Sequence, residues 1–227
     1  MRTAAEVDNL AHIHLEDGSF SLTWVLAWWV IAILLIGAAL LLLRIRNGAD
    51  PKKITVAAFM IAAAFAVSQV QVPIPLVGGA HLNLTPLIGI LTGPVIGTLV
   101  IFVVNILSAA IGHGGWGLVG ANVIVNFSEV CVAWLAFQGM KKITSDRFSQ
   151  AGIAAFAGLF AGNIVMIGII LVSGIQGVNQ TPGQILAGLT LLAAVNMGVA
   201  VIEAFITGFI VAYIAKVRPD ILDRDRT

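Results

Sequence analysis

Pro73-Ile-Pro75-Leu-Val-Gly78-Gly79-Ala-His81-Leu-Asn83 leads into an apolar run, Leu84–Ile111, that is broken by Gly93-Pro94. The run decides the fold. It is too short for two complete membrane spans of about 20 apolar residues each. Proline inside a helix removes one hydrogen bond and clashes with the preceding turn. The spacing therefore predicts a short half-helix over 84–92, a turn at Gly93-Pro94, and a second helix over 95–111. Broken helices at membrane depth persist only where protein or a polar cavity covers the freed backbone. The pair is expected inside a bundle. On its near side, Pro73 and Pro75 forbid regular helix in the loop 69–83. On its far side lies a glycine-rich loop, His113-Gly114-Gly115-Trp116-Gly117, followed by Asn122 and Asn126.

Working outward, the rest of the chain is equally apolar. Of 227 residues, 59% are hydrophobic and 10% charged, with mean hydropathy +1.02. A soluble domain carries roughly 25% charged residues, so the class is an all-α polytopic membrane bundle. Further spans are expected at about 20–43, 54–70, 118–140, 150–171 and 184–215. The last is long enough to require a tilt, or a bend near Gly198. With the broken pair this makes about seven helices. Trp24, Trp28 and Trp29 mark one membrane edge, since amphipathic rings prefer the headgroup level.

Every Lys and Arg except Arg2 falls on one side of this topology, in the loops after the first and fifth of these helices and in the tail. That side is expected to be cytoplasmic. The N-terminus is then outside and the C-terminus inside. Residues 1–19 form an extracellular segment folding back on the bundle, 20–217 the transmembrane domain, and 218–227 a cytoplasmic tail. Residues 1–19 lack the basic and short apolar regions of a signal peptide, so the first span is expected to stay attached. All four histidines, His12, His14, His81 and His113, come out on the external side.

Neutral imidazole suits Ni, Co, Cu and Zn, which makes this grouping a candidate metal site. Against it stands the plain alternative of solvated or packed histidines. Glu129 and Glu203 fall mid-span and need partners or a proton. One reading is a proton or ion relay. The other is interhelical hydrogen bonding, for which Asn105, Asn122, Asn126, Asn163 and Asn196 are available. Cys131, the single cysteine, excludes an internal disulfide and reads as a small buried residue. Ala58, Ala62 and Ala66 recur every four residues, as do Gly158 and Gly162. Small residues at this spacing let helices approach closely, within the bundle or against a partner subunit. No Walker, Gly-x-Ser-x-Gly or His-Glu-x-x-His pattern occurs, so the chain is expected to be no enzyme and to have no ATPase of its own.

Several of these motifs, in order along nearly the whole chain, resemble the CbiM/NikM family. Its members are the substrate-binding (S) membrane subunits of energy-coupling factor transporters for cobalt and nickel. Gly78-Gly79-Ala80-His81-Leu82 resembles the family's histidine loop. Gly112-His113-Gly114-Gly115 with Leu118–Asn122 and Asn126 resembles its second signature, and Val201–Thr207 its last-helix motif. His14-Leu15-Glu16-Asp17-Gly18 resembles its N-terminal segment.

The resemblance implies a nitrogen-rich, near-planar site for Co²⁺ or Ni²⁺ as transported ion, closed by the N-terminal segment. Its ligands would be the terminal amine, a backbone amide, and the imidazoles of His14 and His81. Asn83, His113, Asn122 and Asn126 would order the loop around them. It also implies a coupling (T) subunit, two ATP-binding cassette ATPases and a small accessory membrane subunit as partners, with Ala58, Ala62 and Ala66 a candidate contact face.

The sequence departs from the resemblance in two respects: Asn196 stands where the family often has histidine, and the N-terminal histidine is placed differently. In the family that histidine directly follows the initiator methionine, whereas thirteen residues precede His14 here. The extension is removed, or translation starts later, or His12 takes the place of the terminal amine. Two rival functions share much of the pattern: a vitamin-binding subunit of the same transporter class, and a solitary proton-coupled metal transporter working through Glu129 or Glu203.

Overall fold

The computed structural model describes residues 18–46, 48, 50–74, 78–175 and 182–222, with the backbone alone for 71–74, 78–81 and 182–187. Among the described residues, six helices are long and apolar enough to cross a membrane. They are α1 (Leu22–Ile45), α2 (Pro51–Ser68), α3 (Thr85–Ala110), α4 (Val119–Met140), α5 (Arg147–Ser173) and α6 (Pro182–Val217). Each matches an expected span to within a few residues. A 3₁₀ turn, Pro219–Ile221, follows α6.

α3 is the broken pair. Gly93 has φ 76° and ψ 173° inside it, a region open essentially only to glycine. In a straight helix Gly89 and Gly97 would lie about 12 Å apart along the axis. Yet a Cβ on either would meet Val130 of α4, and one on Gly97 would also lie 3.5 Å from Ile88. The two halves therefore fold back against each other. Leu91, near the tip, shares a cleft with Lys52, Lys53 and Arg218. The tip thus reaches the end of the bundle that carries the basic residues. Counting each half, the described residues hold seven α-helical segments, as the sequence predicts. Gly93→Ala should cost about 1–3 kcal/mol for the forced backbone. Thermal unfolding in detergent would register this as a lower midpoint.

The pair is also the most enclosed span. Its most apolar window is 56% buried, against 11% for α1 at the periphery. Leu87, Ile88, Val100 and Ile101 pack with Val130 and Phe137 of α4, Ala154 of α5 and Val211 of α6. α5 lies between α4 and α6 and packs along both. α6 runs unbroken through Gly198. At 1.5 Å per residue it exceeds the roughly 30 Å hydrocarbon layer, so it must tilt or protrude.

One element was not expected. Within the loop 69–83, β1 (Gln71–Ile74) and β2 (Gly78–His81) form an antiparallel ribbon, pairing Gln71 with His81 and Ile74 with Gly78. Two strands have only edges, so Pro73 can sit in one without removing a ladder bond from a sheet interior. The all-α class stands, with this ribbon added to the connecting loop.

The two ends of the bundle are chemically distinct. At one, Lys52 lies 3.6 Å from Asp220 and Lys141 donates to the Leu222 carbonyl at 3.4 Å. The Arg218 guanidinium, bonded to Asp220, holds that carboxyl down at about 2. At the other, Trp28 Nε1 donates to Ser173 Oγ at 2.9 Å and Trp29 Nε1 to the Trp116 carbonyl at 3.1 Å. The tryptophans read as edge markers thus also tie α1 to the end of α5 and to the glycine loop.

Candidate functional site

The loop after the ribbon does not stay at the surface. Asn83, two residues beyond β2, is held by three groups from elsewhere in the bundle and from the helix it precedes. Its side-chain Nδ2 donates to Glu129 Oε2 at 2.8 Å. Its backbone N–H donates to Glu203 Oε1. Its Oδ1 accepts from the Thr85 N–H at 3.0 Å and from the Thr85 hydroxyl. The last pair is an Asx-type turn, in which a short polar side chain satisfies backbone donors at a helix start. It starts the first half of α3.

Both carboxylates are buried, Glu129 5% and Glu203 3% exposed. Glu129 lies midway along α4, and its side chain occupies the space over Gly162 of α5, where any Cβ would collide with it. Gly158, one turn earlier, lies against the Glu129 carbonyl and Ala133. The Gly158/Gly162 spacing therefore serves packing inside the bundle and the seating of a carboxylate. Glu203 Oε2 has no hydrogen-bond partner among the described residues. The mid-span glutamates do have an asparagine partner, but it is the loop residue Asn83 and not one of the helical asparagines expected. Asn105 instead donates to the Ile101 carbonyl on its own helix, and Asn196 to Asn163 at 3.2 Å.

The other candidates line up above this point. Asn122, Asn126 and Glu129 recur at helical spacing on one face of α4. Asn122 is exposed and faces the glycine loop, its Nδ2 3.8 Å from the place of a Cβ on Gly114. His113 is half-buried in that loop, its N–H bonded to the Ser108 carbonyl at 2.9 Å. A polar line thus descends from the tryptophan end to the carboxylates.

His81 ends β2, opposite Gln71. Consecutive Cα atoms are 3.8 Å apart, so its Cα lies within about 7 Å of the Cα of Asn83. His12 and His14, the other expected ligands, lie outside the described residues, as does the side chain of His81. Among the described residues no three His, Cys, Asp or Glu side chains cluster as a metal site. On α2, Ala58, Ala62 and Ala66 are all exposed, while Ala57, Met60 and Ala64 face inward. Sequence reasoning picked out Asn83 and the two glutamates but not their connection. The available signal was an Asn two residues before a helix start that follows a proline-containing loop.

Comparison with known proteins places this architecture. A family model described as "Cobalt uptake substrate-specific transmembrane region", CbiM, matches residues 14–221. The cobalt transport protein CbiM of Sorangium cellulosum is 26% identical over 215 residues, covering 93% of this chain and 95% of that one. A protein of Archaeoglobus fulgidus provisionally named fused nickel transport protein NikMN is 29% identical over 222 residues, covering 93% of this chain and 68% of its own. The fold also matches a crystal structure described as that of a transition metal transporter, with TM-score 0.75 and 20% identity over 90% of this chain and 93% of the other. With six apolar helices of membrane-spanning length among the described residues and the family model matched over residues 14–221, this multi-pass membrane protein belongs to the CbiM family.

Proposed function

We propose that the chain is the ion-capturing subunit of an energy-coupling-factor uptake system for cobalt or nickel. It takes Co²⁺ or Ni²⁺ at the tryptophan end of the bundle. His81 and His14 are the ligands, and His12 is the further candidate. The observation that carries this reading is the anchoring of Asn83, which fixes the chain close to His81 where the polar line reaches the carboxylates, in a family described by cobalt uptake. Imidazole nitrogen suits these ions, and Ni²⁺ binds nitrogen sites more tightly than Co²⁺ whichever is the cargo. Ni²⁺ is therefore the stronger probe.

The basic end faces the cytoplasm, following the bias of lysine and arginine toward that side. Energy comes from outside the chain, through a coupling subunit, two ATP-binding cassette ATPases and a small accessory membrane subunit. The exposed Ala58, Ala62 and Ala66 form the face where the coupling subunit packs, since small residues allow close helix approach in lipid. Ala62→Leu is expected to leave Ni²⁺ binding intact while abolishing ATP-driven nickel uptake by cells expressing the whole system. Uptake at the parental rate would remove this face from the interface.

Removing residues 1–11 tests the N-terminal ligand. If His14 acts near a processed end, calorimetric Ni²⁺ affinity stays equal or rises. A large loss would mean that the extension is itself part of the site. Uptake into vesicles containing this chain alone separates the proposal from a solitary proton-coupled transporter. We expect none, whereas a proton-coupled carrier would give uptake that Glu203→Gln abolishes.

A further inference from the structure

Two buried carboxylates in the middle of a membrane protein are expensive, and an orphaned buried carboxylate oxygen adds to that expense. Stability alone does not account for Glu129 and Glu203. Both have the same partner, and it is not a helix. Glu129 comes from α4 and Glu203 from α6, two helices that each pack along α5. Between them they take the side-chain amide and the backbone N–H of one loop residue, Asn83. Thr85 occupies the remaining side-chain oxygen of that residue.

We propose that Glu129 and Glu203 are positioning residues for the metal, acting through Asn83 as a two-helix latch that holds the His81 loop in its binding shape. The proposal rests on the metal reading above. The latch works by accepting hydrogen bonds. Asn83 donates with an amide on one side and a peptide N–H on the other, and both need an oxygen opposite, not a charge. Because the two oxygens come from different helices, a shift of α6 relative to α4 would pull one bond from Asn83 and loosen the loop. Seating Glu129 requires the bare backbone of Gly162, which makes that glycine part of the same device.

The test is Ni²⁺ titration calorimetry on the full chain in detergent, with hydrogen exchange of the 78–83 segment in the metal-free protein. Glu129→Leu and Glu203→Leu should each weaken Ni²⁺ binding about ten- to a hundredfold, the range for groups that orient a ligand from behind. Both should also speed exchange in the loop. Leucine at mid-membrane is compatible with folding, and the glutamine variants, which leave no Asn83 donor without an acceptor, separate loss of the latch from loss of the fold. Glu129→Gln and Glu203→Gln keep the acceptor oxygen and should bind nearly as the parent does. Adding Glu129→Leu to Asn83→Ala should cause no further loss, because residues acting through one partner are not additive.

The latch is overturned if the leucine variants bind Ni²⁺ as the parent does, if glutamine is as damaging as leucine, or if the double variant is markedly weaker than Asn83→Ala. The metal reading fails differently. In that case His81→Ala, or the parent itself, gives the wrong Ni²⁺ result whatever the glutamates do.

Discussion

Replacing His81 with alanine is expected to weaken Ni²⁺ binding by well over a hundredfold in titration calorimetry on the full chain. Loss of a group that only orients a ligand costs about ten- to a hundredfold, and loss of a ligand itself should exceed that. The position argues for a large effect. The ribbon ends at His81, and Asn83 two residues later is fixed by three separate partners. The chain at His81 therefore has little freedom to offer another residue in its place. His113→Ala should cost less, since that residue sits on the neighbouring glycine loop and is proposed to order the loop, not to bind the ion. Parental affinity in His81→Ala would show that the site has been assigned to the wrong residues.

The second large effect is expected at Gly162. Helix α5 has no side chain there, and the Glu129 carboxylate fills the space. Gly162→Leu must push that carboxylate aside or separate α5 from α4. Overpacking of this kind typically costs about 1–3 kcal/mol. The oxygen over Gly162 is Oε1, and the other oxygen of the same carboxylate, Oε2, accepts from Asn83. Moving the carboxylate disturbs that bond, so the thermal midpoint and the Ni²⁺ affinity should fall together. Gly168→Ala on the same helix is the control, because a Cβ there meets nothing within 4 Å. It should leave both unchanged. A Gly162→Leu protein with parental midpoint and affinity would contradict the seating of Glu129.

Much of the architecture was legible in the residues. Gly93-Pro94 within a run too short for two spans marked the re-entrant pair, and the cost of broken helix in lipid placed it inside. Both inferences rest on local chemistry, and both hold in α3. The ribbon was not legible, because Pro73 and Gly78-Gly79 argue against strand and its pairing depends on two segments meeting. The latch was hidden for a similar reason. Glu129 and Glu203 lie 46 and 120 positions from Asn83, and no periodicity connects them. A mid-span glutamate shows that a partner is needed but does not name it.

The small-residue stripes illustrate the same boundary. Gly158/Gly162 and Ala58/Ala62/Ala66 read alike as sequence. One turns inward to a carboxylate and a neighbouring helix, and the other faces outward on α2. Only the orientation of each helix in the bundle separates them, and that orientation is set by packing.

Nickel K-edge X-ray absorption on the purified full chain, loaded with one equivalent of Ni²⁺, tests the central claim most directly. The account predicts a first shell of nitrogen with the multiple-scattering signature of at least two imidazoles, reduced by one imidazole or lost with the metal in His81→Ala. An oxygen-only shell without imidazole scattering, or a spectrum unchanged by His81→Ala, would contradict it.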